Sequence, residues 1–369
     1  MISTVSYQKR DFISEKLFKE GANWAEKKDF NRAINYFSRA LEINPTYAEA
    51  YYNRGFSWAK IGKLDNAIND YSEAINLNPQ LVHSYLNRGN VWAEKGKVDQ
   101  AIADYNKALE KNPRFVSAYY SRGLILYKKG DIDGAIADYN RALEIEPNHV
   151  KSYVNRGAAW GKKREYDHAI DDYNLAIKID SDNTYAYVNR GVAWANKGDY
   201  FRAIKDYNKA LEINPREKKA YINRGIVWET KGEYDRAIED YDKALEIDPK
   251  NAETYVHRGD AWGEKGDQDR ALVDYNKALE LNPKDAVAFN NRGFTYGEKG
   301  NYDQAMADLN KSIEIDPKFA EAYYSRGDIL VKKGDHNRAL IDFSKAVELD
   351  PNNERYKNRL NVLKGMINK

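Results

Sequence analysis

The sequence predicts an all-α chain of stacked helical hairpins, and three observations predict it. Glycine recurs every 34 residues at Gly21, Gly55, Gly89, Gly123, Gly157, Gly191, Gly225, Gly259, Gly293 and Gly327, ten times without insertion or deletion. All seven tryptophans stand three residues after such a glycine, and all nine prolines stand 24 after one. Between these marks, apolar and small residues fall at helical spacing. A strict period of this length is the sign of a solenoid, in which each unit buries its apolar face only by stacking on its neighbours.

Taken in order, residues 1–13 read as a disordered leader or an extension of the first helix, and they lack a signal peptide's apolar core. In the unit that starts at Ala48, Tyr51, Arg54, Gly55 and Trp58 lie at i, i+3, i+4 and i+7, one stripe of a first helix that Gly62 stops. Ala67, Asp70, Tyr71 and Ala74 repeat the spacing on a second helix closed by Asn78 and Pro79. Gly55, Ala67 and Ala74 let the two backbones approach, while Tyr51, Trp58 and Tyr71 fill the space beside them. Ten such repeats occupy 14–47, 48–81, 82–115, 116–149, 150–183, 184–217, 218–251, 252–285, 286–319 and 320–353. In the fifth, Arg164 replaces the helix-stopping glycine and Ser181 the proline, so residues 180–184 are the expected flexible joint. Residues 354–369 read as a capping helix with Tyr356, Leu360, Leu363 and Ile367 on one face.

Aromatic, glycine, aromatic, alanine, aromatic, alanine and proline at these offsets resemble the tetratricopeptide repeat across residues 14–353, in a variant similar to arrays common in prokaryotic repeat proteins. The resemblance implies a right-handed superhelical solenoid with first helices lining a concave groove.

Composition narrows the function. Lys and Arg number 59 against 57 Asp and Glu, interspersed rather than in blocks, so no footprint for nucleic acid or a membrane surface is expected. The absence of cysteine removes disulfides and thiolate chemistry, and no apolar run approaches a bilayer span. A cytoplasmic protein is the expectation. The five histidines, His83, His149, His168, His257 and His336, occupy five different offsets, so histidine spacing suggests no metal site. Neither a catalytic set nor a cofactor is predicted.

One charged pair interrupts the core stripe. Arg54, Arg190, Arg224 and their equivalents precede the marker glycine, and Asp70, Asp206, Asp240 and theirs follow it by fifteen residues. The first repeat has Glu20 and Tyr36 at these places, so both charges vanish together. Pairing across each hairpin is predicted, because an unpaired charge on that stripe is costly.

Two residues before the glycine stand Asn53, Asn87, Asn155, Asn189, Asn223, His257 and Asn291, about 200° around the helix from the aromatic anchor. No packing task is expected for an amide there, and its donor and acceptor match those of a peptide backbone. Phe56, Leu124, Val192, Ile226 and Phe294, together with Tyr52, Tyr120, Val188 and Tyr324, are expected to flank this row. Lys128 and Lys162 add positive charge in the middle repeats, and Asp260, Glu264, Glu298, Glu321 and Asp328 add negative charge toward the end. In arrays this one resembles, notably that of O-linked N-acetylglucosamine transferase, asparagines at the matching offset grip a substrate backbone. The implied function is a scaffold that binds an extended segment of another protein. Self-association, or assembly through the convex face, is the alternative. Chaperone tails are not expected as ligands, since the family's carboxylate clamp needs charge at an offset that is apolar or aromatic in nine repeats.

Overall fold

The computed structural model describes residues 2–367, with side chains from 11 onward. Every regular element among them is a helix. Two compact units divide the chain, Met1–Asn189 and Arg190–Lys369. The helices of the first are α1 (Ile2–Glu26), α2 (Phe30–Ile43), α3 (Ala48–Lys60), α4 (Leu64–Leu77), α5 (Val82–Glu94), α6 (Val98–Lys111), α7 (Val116–Lys129), α8 (Ile132–Ile145), α9 (Val150–Lys162) and α10 (Tyr166–Ile179). Then come α11 (Thr184–Asn196), which starts before the division, α12 (Tyr200–Ile213), α13 (Lys218–Thr230), α14 (Tyr234–Ile247), α15 (Ala252–Glu264), α16 (Gln268–Leu281), α17 (Ala286–Glu298), α18 (Tyr302–Ile315), α19 (Ala320–Lys332), α20 (His336–Leu349) and α21 (Glu354–Ile367). No described helix is long and apolar enough to cross a membrane.

Local chemistry sets each boundary. Gly62, Gly96 and their counterparts take φ between +72° and +92°, the left-handed conformation that ends a first helix. Arg164 is forced into the same conformation at φ 62°, as is Lys28. Asp131 and Asp199 cap the following second helices by accepting from the N–H of Gly134 and Arg202. At the far end, Asn78 Oδ1 accepts from the N–H of Gln80 at 3.0 Å, folding the chain around Pro79 into the next first helix. Where Ser181 replaces the proline, side chains hold the turn: Asn183 Nδ2 donates to Asp180 Oδ2 at 2.9 Å, and Ala186 N–H to Asn183 Oδ1 at 3.0 Å.

The core lies between the helices of each hairpin and between adjacent hairpins. Ala67, Ala74 and their equivalents are fully buried, and Tyr71, Tyr105, Tyr139, Tyr207 and Tyr241 nearly so. Each such ring lies flat against a marker glycine; a Cβ built on Gly191 would stand 2.6 Å from Tyr207 Cε1. In α21, Tyr356, Leu360 and Leu363 pack into a core with Tyr324, Leu330 and Phe343. Ile367, expected on that face, is exposed.

Candidate functional site

The arginines of the first helices act as clips. Arg88 Nε and Nη2 donate to Asp104 Oδ2 and Oδ1 at 2.9 and 2.7 Å, across one hairpin. The same two-pronged geometry joins Arg54 to Asp70, Arg190 to Asp206 and Arg224 to Asp240. A third contact escapes sequence reasoning: Arg88 Nη1 donates to Ser72 Oγ of the preceding hairpin at 2.9 Å, and Arg326 Nη1 to Asn310 Oδ1 at 2.7 Å. Its signal is periodic, since Ser, Asn or Asp stands seventeen residues after every marker glycine. Burial pushes the Asp70 carboxyl above its ordinary value while Arg54 pulls it down, so desolvation offsets much of the pair's attraction.

The amide row is half-buried, and Asn53, Asn87, Asn155 and Asn291 do have packing tasks, contrary to expectation. Asn87 Nδ2 donates to the Tyr52 hydroxyl of the preceding first helix at 3.0 Å, and Asn155 Nδ2 does the same to Tyr120 at 3.3 Å. Asn53 and Asn155 also donate to the carbonyls of Glu49 and Lys151, each at 2.8 Å. A carbonyl can only accept, which ties Nδ2 to the preceding turn of the same helix and leaves the amide oxygen as the group that can take a ligand's N–H. Asn189 and Asn223 are likewise half-buried, and Lys128 and Lys162 are exposed. The flanking set needs revision. Val188 and Tyr324 are buried, and Tyr52 packs on Tyr71 with ring centroids 5.9 Å apart, because the residue three before the glycine faces the seam between hairpins.

The acidic end of the row is largely neutralised from within. Glu298 pairs with Lys332 at 2.7 Å, Glu321 with Arg355 at 3.1 Å, and Asp328 with Arg359 at 2.7 Å. Asp260 lies deeper and accepts on Oδ1 from the Tyr275 hydroxyl at 2.7 Å and from Asn291 Nδ2 at 2.8 Å. Burial pushes its carboxyl up to about 6, against the pull of these donors and with the nearby Glu229 charge adding to the rise. The ligand atoms of Glu229, His257 and Asp260 lie within 4.8 Å of one another. Histidine spacing alone hides this group, because Glu229 comes from α13 and the other two from α15.

Comparison with known proteins matches this architecture. The family model described as tetratricopeptide repeat matches residues 48–81, 116–149, 150–183, 184–217, 219–251 and 320–353, and one described as TPR repeat matches 25–62, 89–130, 259–300 and 296–334. A tetratricopeptide repeat protein from Parabacteroides merdae ATCC 43184 is 25% identical, with a TM-score of 0.56 over 68% of this chain and 98% of its own. Yeast Tom70 is 17% identical, with a TM-score of 0.52 over 97% of each chain. A chain of the APC/C hetero-tetramer Cut9-Hcn1 is 16% identical, with a TM-score of 0.57 over 95% of this chain and 76% of its own. The last two likenesses concern the fold alone. No curated protein matches the chain.

Proposed function

We infer, because this chain belongs to the tetratricopeptide repeat family, a family of protein-interaction repeats, that it is a non-enzymatic scaffold holding an extended segment of another protein along its amide row. The observation that carries the reading is the fixed orientation of Asn53 and Asn155, whose nitrogens are held by backbone carbonyls. Their oxygens are thus set to accept N–H groups from a bound backbone, which every sequence offers. Asn87, Asn189, Asn223, His257 and Asn291 continue the row, with Lys128 and Lys162 at its edge. We read the arginine clips as a register device for the hairpins, with no part in ligand contact.

Self-association is the second reading, favoured by Phe201, which is 80% exposed beside Trp228 and Arg236 on the second-helix side. Protein capture and light scattering on Asn189→Ala/Asn223→Ala and on Phe201→Ser separate the two. The scaffold reading expects the first variant to lose its partner with its mass unchanged. Unchanged capture by that variant, with loss of an oligomer in Phe201→Ser, overturns it.

A further inference from the structure

A repeat protein carries its own internal comparison, so a residue that breaks the period stands out without any other sequence. Two breaks and an acid converge on one place in the second unit. Four residues after the marker glycine the chain has Ala25, Ala59, Ala93, Tyr127, Gly161, Ala195, Gly263, Gly297 and Val331, all uncharged, but Glu229 in the seventh repeat. Two before the glycine, His257 is the one histidine at an offset where asparagine predominates. One after it, Asp260 takes a place that is apolar in seven of the other nine repeats, with Asp328 the other acid and Asn90 the remaining polar residue. His257 and Asp260 are three apart on α15, hence on one face, and stacking brings Glu229 of α13 against them.

We propose that Glu229, His257 and Asp260 form a binding site for a divalent transition-metal ion, with Zn2+ the natural probe. One imidazole nitrogen and two carboxylates are a donor set such ions take. Ligand atoms around a tetrahedral ion with bonds near 2 Å stand roughly 3.3 Å apart. From separations within 4.8 Å, small side-chain rotations close the shell. A second layer already orients the ligands, as it does in metal centres. The Tyr241 hydroxyl donates to Glu229 Oε2 at 2.7 Å, and the Tyr241 ring stacks on His257 at 5.7 Å and 19°. Tyr275 and Asn291 hold Asp260 through one oxygen, which leaves lone pairs for an ion.

Access is provided on both sides. His257 and Asp260 line a cavity of about 660 Å³ with Val256 and Val287, and Asp260 also borders one of about 300 Å³. The smaller cavity is lined by Asn290, 4% exposed, whose Oδ1 has no protein hydrogen-bond partner. That oxygen suits a donor such as metal-bound water in the fourth position. A lysine or arginine side chain of a ligand is the rival cation, but it has no use for an imidazole. The ion would tie two first helices one repeat apart, making it a structural or regulatory clamp within the row.

The test is calorimetric titration of ZnCl2 into the full chain after chelator treatment and desalting. His257→Asn and Glu229→Ala each install the residue other repeats carry at that offset, so folding is preserved. Wild type is expected to bind one Zn2+ per chain and to gain thermal stability from it, with each variant about tenfold weaker or more. Glu264→Gln, a neighbouring acid outside the group, keeps the affinity. Co2+ in place of Zn2+ gives a visible d–d band in wild type that His257→Asn loses. Absence of saturable Zn2+ binding overturns the proposal, as does wild-type affinity in both variants. A basic peptide whose binding depends on Glu229 and Asp260, without a Zn2+ isotherm, overturns it in favour of a basic side chain.

Discussion

Arg88 donates two parallel hydrogen bonds to Asp104 and a third to Ser72, so a single guanidinium joins both helices of its own hairpin to the hairpin before it. Both charges are mostly shielded, with the Arg88 side chain 21% and the Asp104 side chain 8% exposed. Removing one partner strands the other away from water, whereas removing both strands neither. Arg88→Leu is therefore expected to cost about 3–5 kcal/mol, and Arg88→Leu/Asp104→Leu to recover most of it. Urea denaturation of the two singles and the double decides; a double mutant as unstable as the sum of the singles contradicts a coupled pair.

The marker glycines are expected to reject even a methyl group. A Cβ on Gly191 meets the Tyr207 ring at 2.6 Å in a fully packed seam, so Gly191→Ala should lose roughly 1–3 kcal/mol. Thermal unfolding measures it. Gly161→Ala is the control, since a Cβ there meets nothing within 4 Å.

The fifth repeat can be improved. Arg164 sits at φ 62°, where a side chain costs roughly 1–2 kcal/mol that glycine avoids. Arg164→Gly should stabilise the chain by about that amount, and Ser181→Pro should add about 0.4–1 kcal/mol by restricting the unfolded chain. Hydrogen exchange across residues 180–184 should be faster than at the other junctions in the wild type and slow in Ser181→Pro.

Mild acid should weaken the fourth junction. Burial lowers the His149 pKa from its ordinary value of 6.5, with Glu146 opposing and Lys151 assisting. The ring packs edge-on against Tyr120 at 5.3 Å, and its Nδ1 lies 2.7 Å from Ser152 Oγ. The folded state then holds the proton less tightly than the unfolded one. Its contribution is complete above the ordinary imidazole range and falls as pH drops through it. Denaturation from neutral to mildly acid pH should show this slope in wild type and a smaller one in His149→Asn.

What the sequence reveals depends on whether a contact lies within a helix pair or between successive pairs. Gly55 with Tyr71, and Arg54 with Asp70, belong to one hairpin, and helical spacing places them directly. The Arg88 to Ser72 bond spans two hairpins, so the polar residue that receives it is periodic in the sequence but looks like ordinary helix surface. Tyr52 and Tyr324 were expected along the row for the same reason: one helix drawn alone cannot tell the seam with its neighbour from open solvent. Glu229 meets His257 and Asp260 only through that stacking, and the signal, at Glu229 and His257, is a break in periodicity rather than a motif.

The central claim, that amide oxygens hold a peptide by its backbone, is tested most directly by backbone methylation. Peptides selected from a random display library on the full chain would be resynthesised with single N-methyl amides and, separately, with single alanines. Dissociation constants by fluorescence anisotropy should weaken about tenfold at each methylated N–H facing the row, roughly one hydrogen bond's worth. Most alanine replacements should change little, and Asn53→Ala/Asn155→Ala protein should no longer distinguish methylated from unmethylated peptide. Affinity that survives every N-methyl substitution but collapses on alanine replacement would contradict the account.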